Sequence, residues 1–171
     1  MEVSQVILGV DPGFSITGFA VLKTTGRQVL LLDCGYLKMS STKSLSERTG
    51  QFYKVFQEKI TIHGVTHVAL ETSFLGKNPQ TFLKLGFLRG ILYLLADQHK
   101  LIISEFAPRE IKAAVTGSGG ASKDQVAHMI LRMFPKITQL GAVEKQDVTD
   151  ALAISVCGLW SLQKNAMLSR F

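Results

Sequence analysis

The sequence predicts an α/β domain, a five-stranded mixed sheet flanked by helices. Two observations carry this expectation. The first 38 residues are apolar, β-branched runs joined by short polar turns, and the rest alternates such runs with segments whose apolar residues recur at helical spacing. Length adds a third: 171 residues suit a single domain over 1–171 with one core, here with a tail expected to fray after about residue 160.

Residues 5–11 and 16–23 are apolar and separated by DPGFS, a turn-forming cluster, so they read as an antiparallel hairpin. A third strand, 28–38, follows the polar TTGRQ connection and extends the hairpin to a meander. From Ser44 the period changes, and Leu45, Arg48, Phe52, Val55, Phe56 and Ile60 are read as the inward stripe of a helix. Ser44 with Glu47 three places on is a capping-box signature for its start.

THVALETSF supplies a fourth strand ending at Glu71. NPQTFLKLGFLRGILYLLADQ supplies a second helix, with Asn78 as N-cap and Pro79 at its first position. LIISEF is the fifth strand, expected to run parallel to the fourth because a helix connects them. Three helices complete the chain: PREIKAAVT, SKDQVAHMILRMF opened by a Ser122/Gln125 capping box, and roughly EKQDVTDALAISVCGLWSLQK.

Composition excludes several classes. Hydrophobic residues at 46% and charged residues at 19% describe a folding chain. Cys34 and Cys157 belong to no CxxC pair and are expected to be buried, reduced thiols, while His63, His67, His99 and His128 show no ligand spacing. No signal peptide opens the chain, and LKLGFLRGILYLLA is too short to span a bilayer and carries Arg89, so neither export nor a membrane segment is expected. A net charge of +6 and pI near 9.4 fit an anionic partner such as nucleic acid and, taken alone, fit a merely soluble basic protein about as well.

The candidate chemistry lies in four carboxylates. Asp11 and Glu71 end the first and fourth strands, and in α/β folds ligands collect at the carboxyl ends of strands. Asp147 and Asp150 share one face of the last helix, which Ala151, Ile154 and Gly158 continue as an apolar stripe. If that stripe packs on the sheet, the four acids converge. Like charges at close range raise each other's proton affinity, and a divalent cation is the usual compensation. All-oxygen ligands favour Mg²⁺, with Mn²⁺ as substitute. Two ions about 3.5–4 Å apart, bridged by Asp11, would suit in-line attack on a phosphodiester. Pro12 then ends the strand ladder, and Gly13 is expected to keep side chains away from the ions. Taken singly, each acid also has a structural reading, as a hairpin-turn residue or a helix-dipole partner.

The motifs VDPG, LETSF followed by KNPQTFLKLG and RG, FAPREIK, and DVTDALA occur in order from Ile7 to Cys157. This set resembles the RuvC family of Holliday-junction resolvases on the ribonuclease H-like fold. The resemblance implies that Asp11, Glu71, Asp147 and Asp150 are catalytic metal ligands, the third of these positions being histidine in some relatives. It implies a four-way DNA junction as substrate, cut by symmetrical paired nicks leaving 5′-phosphates, in recombination and repair. Phe74, in TSFLGKNP, would stack on unpaired bases at the junction centre. Lys77 and Asn78 of the same loop, and Lys112 and Lys123 flanking VTGSGGAS, would contact DNA. Lys84, Arg89 and Arg109 are further basic residues near the motifs.

The second helix is apolar nearly all round from Leu83 to Ala96, with Gly86 and Gly90 one turn apart, which suits a helix partner. The family's two-fold homodimer fits this, and the resemblance further implies RuvA and RuvB as branch-migration partners in a bacterial cytoplasm. Competing readings are a related nuclease acting on another nucleic acid, and a non-catalytic junction-binding module with structural acids. An actin-like or sugar-kinase-like phosphotransferase would need a second lobe for which the chain has no residues. TGSGGASKD lacks the Gly-Lys-Ser/Thr spacing of a phosphate-binding loop.

Overall fold

A computed structural model describes residues 4–26, 28–73, 78–135 and 137, and of 142–168 the helical backbone, with side chains described over 146–165. The strands are β1 (Gln5–Asp11), β2 (Ile16–Thr25), β3 (Gln28–Lys38), β4 (His67–Glu71) and β5 (Ile102–Phe106). The helices are α1 (Leu45–His63), α2 (Pro79–His99), α3 (Pro108–Thr116), α4 (Lys123–Met133) and α5 (Ala142–Leu168). The sheet runs in the order β3-β2-β1-β4-β5. Its first half is the antiparallel meander, and β1, β4 and β5 are parallel.

Two apolar layers close the sheet. On one face Ile7, Ala20, Leu22 and Ala69 pack with Ala151, Leu152 and Ile154 of α5, and α3 and α4 add Ile111, Val115, Val126 and Ile130. On the other, Leu8, Val10, Val21 and Leu70 pack with Phe52 and Phe56 of α1 and with Leu88, Leu92 and Leu95 of α2. Phe52 and Phe56 lie 4.4 Å apart between ring centroids, and Phe19 meets Phe56 edge-on.

The caps form as their residues dictate. Ser44 and Glu47 close a reciprocal capping box on α1, Ser122 and Gln125 another on α4, and the Asn78 side chain accepts from Gln80 and Thr81 ahead of α2. Two elements outrun their apolar patterns. β2 extends to Thr25 because Thr24 and Thr25 keep their ladder partners Val29 and Gln28 up to the turn at Gly26. α5 reaches from Ala142 to Leu168, running through Asn165 into Ala166, Met167 and Leu168, which are good helix formers.

Three expectations need correction. Arg48, on the inward stripe of α1, is not core: its guanidinium donates to the Phe14 carbonyl and lies 3.9 Å over the Phe14 ring. Leu45 on the same stripe is exposed. Cys34, on edge strand β3, is only half-buried, whereas Cys157 is buried and its thiol is pushed up to about 12, chiefly by burial. His63 also has a partner, the Asp33 carboxylate that Lys59 approaches to 2.6 Å. Among the described residues no helix is long and apolar enough to cross a membrane.

Candidate active site

Strand register brings the first two acids together. Val10 of β1 pairs with Leu70 of parallel β4, so Asp11 and Glu71, each one step further, end adjacent strands at the same edge. Antiparallel pairing places Gly18 of β2 opposite Asp11. A Cβ built on Gly18 would stand 2.1 Å from the Asp147 carbonyl oxygen, so only glycine lets the acidic end of α5 lie on the sheet beside Asp11. Further along, Ser155 of α5 donates to the Ala20 carbonyl of β2, and Ala151 and Ile154 are fully enclosed.

The turn after Asp11 is held differently from the sequence expectation. A Cβ on Gly13 would fall 1.9 Å from the Ile16 carbonyl oxygen. The Gly13 N–H donates to Thr17 Oγ1, which donates back to the Gly13 carbonyl at 2.8 Å. Glycine is thus required by the tight return into β2, which fixes the direction in which the strand presents Asp11.

These placements generate a strained electrostatic centre. Asp11 is pushed up to about 6, first by burial, then by the negative charges of Asp150 and Glu71. Glu71 is raised by burial and Asp150, and Asp147 by burial and Asp150. Lys123 opposes them: its ammonium lies 3.4 Å from Asp150 Oδ2, and the Asp150 charge raises its own proton affinity. Lys112 adds positive potential at Glu71. A cleft of about 300 Å³, lined by Asp11, Pro12, Glu71, Thr72, Ser73, Leu85 and Arg89, opens onto the centre.

The donor set fits hard divalent cations: carboxylate oxygens only, with a negative field at Asp11 that Lys123 offsets in part. Among the described residues no three acids, histidines or cysteines are drawn together tightly enough to hold one ion as their side chains stand. The acids are near enough to raise one another's proton affinity without forming a closed cage, and Lys123 offsets part of their charge.

The other expected residues divide. Asn78 is the cap of α2, with Oδ1 engaged by two backbone N–H groups at 3.0 and 3.3 Å. Phe74 and Lys77 lie outside the described residues. Lys84 approaches the Phe14 ring, its ammonium 5.9 Å from the centroid. One residue carries more than its basic character announced: Arg89 donates to the Glu71 backbone carbonyl at 2.7 Å and pairs with Glu105 at 2.6 Å. An arginine beside Leu88 in an otherwise apolar helix was the available signal.

Comparison with known proteins agrees with the geometry. The family described as crossover junction endodeoxyribonuclease RuvC matches residues 7–158. The corresponding protein of Pelodictyon phaeoclathratiforme is 46% identical over 156 residues, covering 91% of this chain and 80% of the relative. That of Legionella pneumophila is 38% identical over 152 residues, covering 89% and 85%. The structure of Thermus thermophilus RuvC in complex with a Holliday junction substrate superposes with a TM-score of 0.84 at 25% identity, covering 94% of this chain and 96% of that one.

Proposed function

Since the chain belongs to the RuvC family of crossover junction endodeoxyribonucleases, we propose that it resolves four-way DNA junctions by metal-dependent hydrolysis at Asp11, Glu71, Asp147 and Asp150. The observation that carries this reading is geometric: Asp11 and Glu71 end adjacent parallel strands, and the backbone of Asp147 lies against Gly18, the residue paired with Asp11, so α5 brings its acids to the same strand ends. Burial and the neighbouring carboxylates then push Asp11 up to about 6.

Asp11 and Glu71 would hold the ions from the sheet, with Asp150 and Asp147 closing from α5. When bound, two Mg²⁺ ions, or Mn²⁺ in their place, would activate water and neutralise charge on the departing oxygen. Lys123, whose ammonium lies 3.4 Å from Asp150 at the start of α4, would offer its charge to a DNA phosphate beside the acids. Lys112 would hold the same backbone from α3, and Phe74, Lys77 and Asn78 would meet the junction from the loop ahead of α2.

The exposed stripe Leu83, Phe87 and Leu94 on α2 supports a two-fold homodimer. One protomer would then cut each of two symmetric strands. Family membership supports RuvA and RuvB as partners and a bacterial cytoplasmic setting.

Binding and chemistry separate in Asp11→Asn, Glu71→Gln and Asp150→Asn. Each should lose cleavage by at least about 10³-fold while gel-shift affinity for a junction in chelator is retained. Retained cleavage in any variant removes that acid from the mechanism.

A further inference from the structure

The carbonyl of Glu71 sits where β4 runs out of ladder: the next residue, Thr72, still donates its N–H to Phe106 of β5, but the Glu71 carbonyl is taken by Arg89. The Arg89 side chain is only 11% exposed, although it belongs to a helix whose outer face is apolar. Its second nitrogen, Nη2, pairs with Glu105 Oε1, and the same oxygen accepts the Tyr93 hydroxyl from one helical turn further on. One guanidinium therefore spans the end of β4 and the side chain of β5, in the bidentate manner that lysine cannot reproduce.

Arg89 also stands between two cavities. It lines the cleft that contains Asp11 and Glu71, and it lines a second cleft of about 280 Å³ with Ser73, Phe82, Gly86, Gly90 and Tyr93 on the outer side of α2.

We propose that Arg89, braced by Glu105 and Tyr93, is a positioning residue that fixes the end of β4 and thereby sets the Glu71 carboxylate for metal binding. The proposal rests on the metal-dependent reading above. Arg89 touches neither acid side chain; its effect reaches the site through the main chain of Glu71. Partners of this kind that orient metal ligands change metal affinity or activity by about 10–100-fold when altered.

The test compares wild type with Arg89→Lys and Glu105→Gln, both of which keep bulk in place. Five quantities are read: turnover at saturating junction, the Mg²⁺ concentration giving half-maximal rate, junction Kd in chelator, Tm in chelator, and the rise in Tm caused by Mg²⁺ alone. Arg89→Lys should lower turnover about 10–100-fold, raise the half-maximal Mg²⁺ concentration, and shrink the Mg²⁺-induced rise in Tm. Its metal-free Tm and junction Kd should match wild type within about twofold in affinity and a few degrees in Tm. Glu105→Gln should shift the same quantities in the same direction by less. Wild-type turnover and an unchanged Mg²⁺ response in Arg89→Lys would overturn the proposal. So would a loss that follows only junction Kd, which would make Arg89 a phosphate contact, or only metal-free Tm, which would make it a packing residue. If wild type bound Mg²⁺ but left junctions intact, and Arg89→Lys lost the Mg²⁺-induced Tm rise, the resolvase reading would fall while the positioning role stood.

Discussion

Asp11 holds its proton to about pH 6 in the folded, metal-free protein, against an ordinary value of 3.8. The native state thus binds more protons than the unfolded chain between these values, so metal-free stability falls as pH rises from about 4 to 6 and stays lower above. Glu71 and Asp147 shift in the same direction, for the same cause of burial reinforced by Asp150. Asp11→Asn removes the buried charge, and in chelator at pH 7.5 it should be more stable than wild type by about 1–3 kcal/mol. Thermal unfolding from pH 4 to 8 checks this: the variant's Tm should decline less than that of wild type, the remaining decline coming from Glu71 and Asp147. Asp11 and Glu71 were legible in the sequence because each ends an apolar run with a charge that no strand interior tolerates. The function of Gly13 was not, because the clash it avoids is with the Ile16 carbonyl, three residues away and visible only once the turn is closed. Arg89 was legible as a basic residue near the motifs but not as a brace, since Glu105 lies on another element.

Helix α5 is the element on which the site depends, because it brings Asp147 and Asp150 to strands far away in sequence. Its approach at the acidic end rests on Gly18, where any side chain would meet the Asp147 carbonyl oxygen at 2.1 Å. Gly18→Ala should lift that end of the helix, destabilise the fold by about 1–3 kcal/mol, and reduce cleavage well beyond any change in junction binding. Chemical denaturation and single-turnover cleavage of the same preparation measure both effects. The stripe Asp147, Asp150, Ala151, Ile154 foretold that α5 packs on the sheet, but not that Val148, Leu152, Ala153 and Val156 are buried as well, because residues of α3 and α4 join the same core cluster. The ends of α5 and β2 did not follow from pattern: good helix formers and paired threonines continue regular structure beyond the last apolar residue. Three N-caps were legible, because Ser44/Glu47, Asn78/Pro79 and Ser122/Gln125 act within one turn and need no tertiary partner. The start of α3, where Glu110 accepts the Ala107 N–H, was not, since Ala107 has no capping side chain.

At the scale of the molecule, α2 carries two loads. Leu88, Leu92 and Leu95 enter the core, while Leu83, Phe87 and Leu94 form an exposed apolar stripe on the other side. Leu83→Asp with Leu94→Asp should leave the protomer folded and shift its sedimentation from dimer to monomer. Nothing local pairs β1 with β4, so that step of the strand order was not legible. The meander and the parallel pairing of β4 with β5 were, because hairpin turns and a helical connection leave few arrangements. The convergence of the four acids was legible from the apolar stripe of α5. The open arrangement of those acids, with Lys123 beside Asp150, was not, because it depends on side-chain positions across α4 and α5. The most direct measurement of the central claim is incubation of the purified protein with a labelled four-way junction and a matched linear duplex, in Mg²⁺ or in chelator, with Asp11→Asn alongside. Paired symmetrical nicks in the junction alone, with metal alone and with wild type alone, are the expected result. Junction binding without cutting in Mg²⁺ would contradict the catalytic reading, and equal cutting of the duplex would contradict the junction as the substrate.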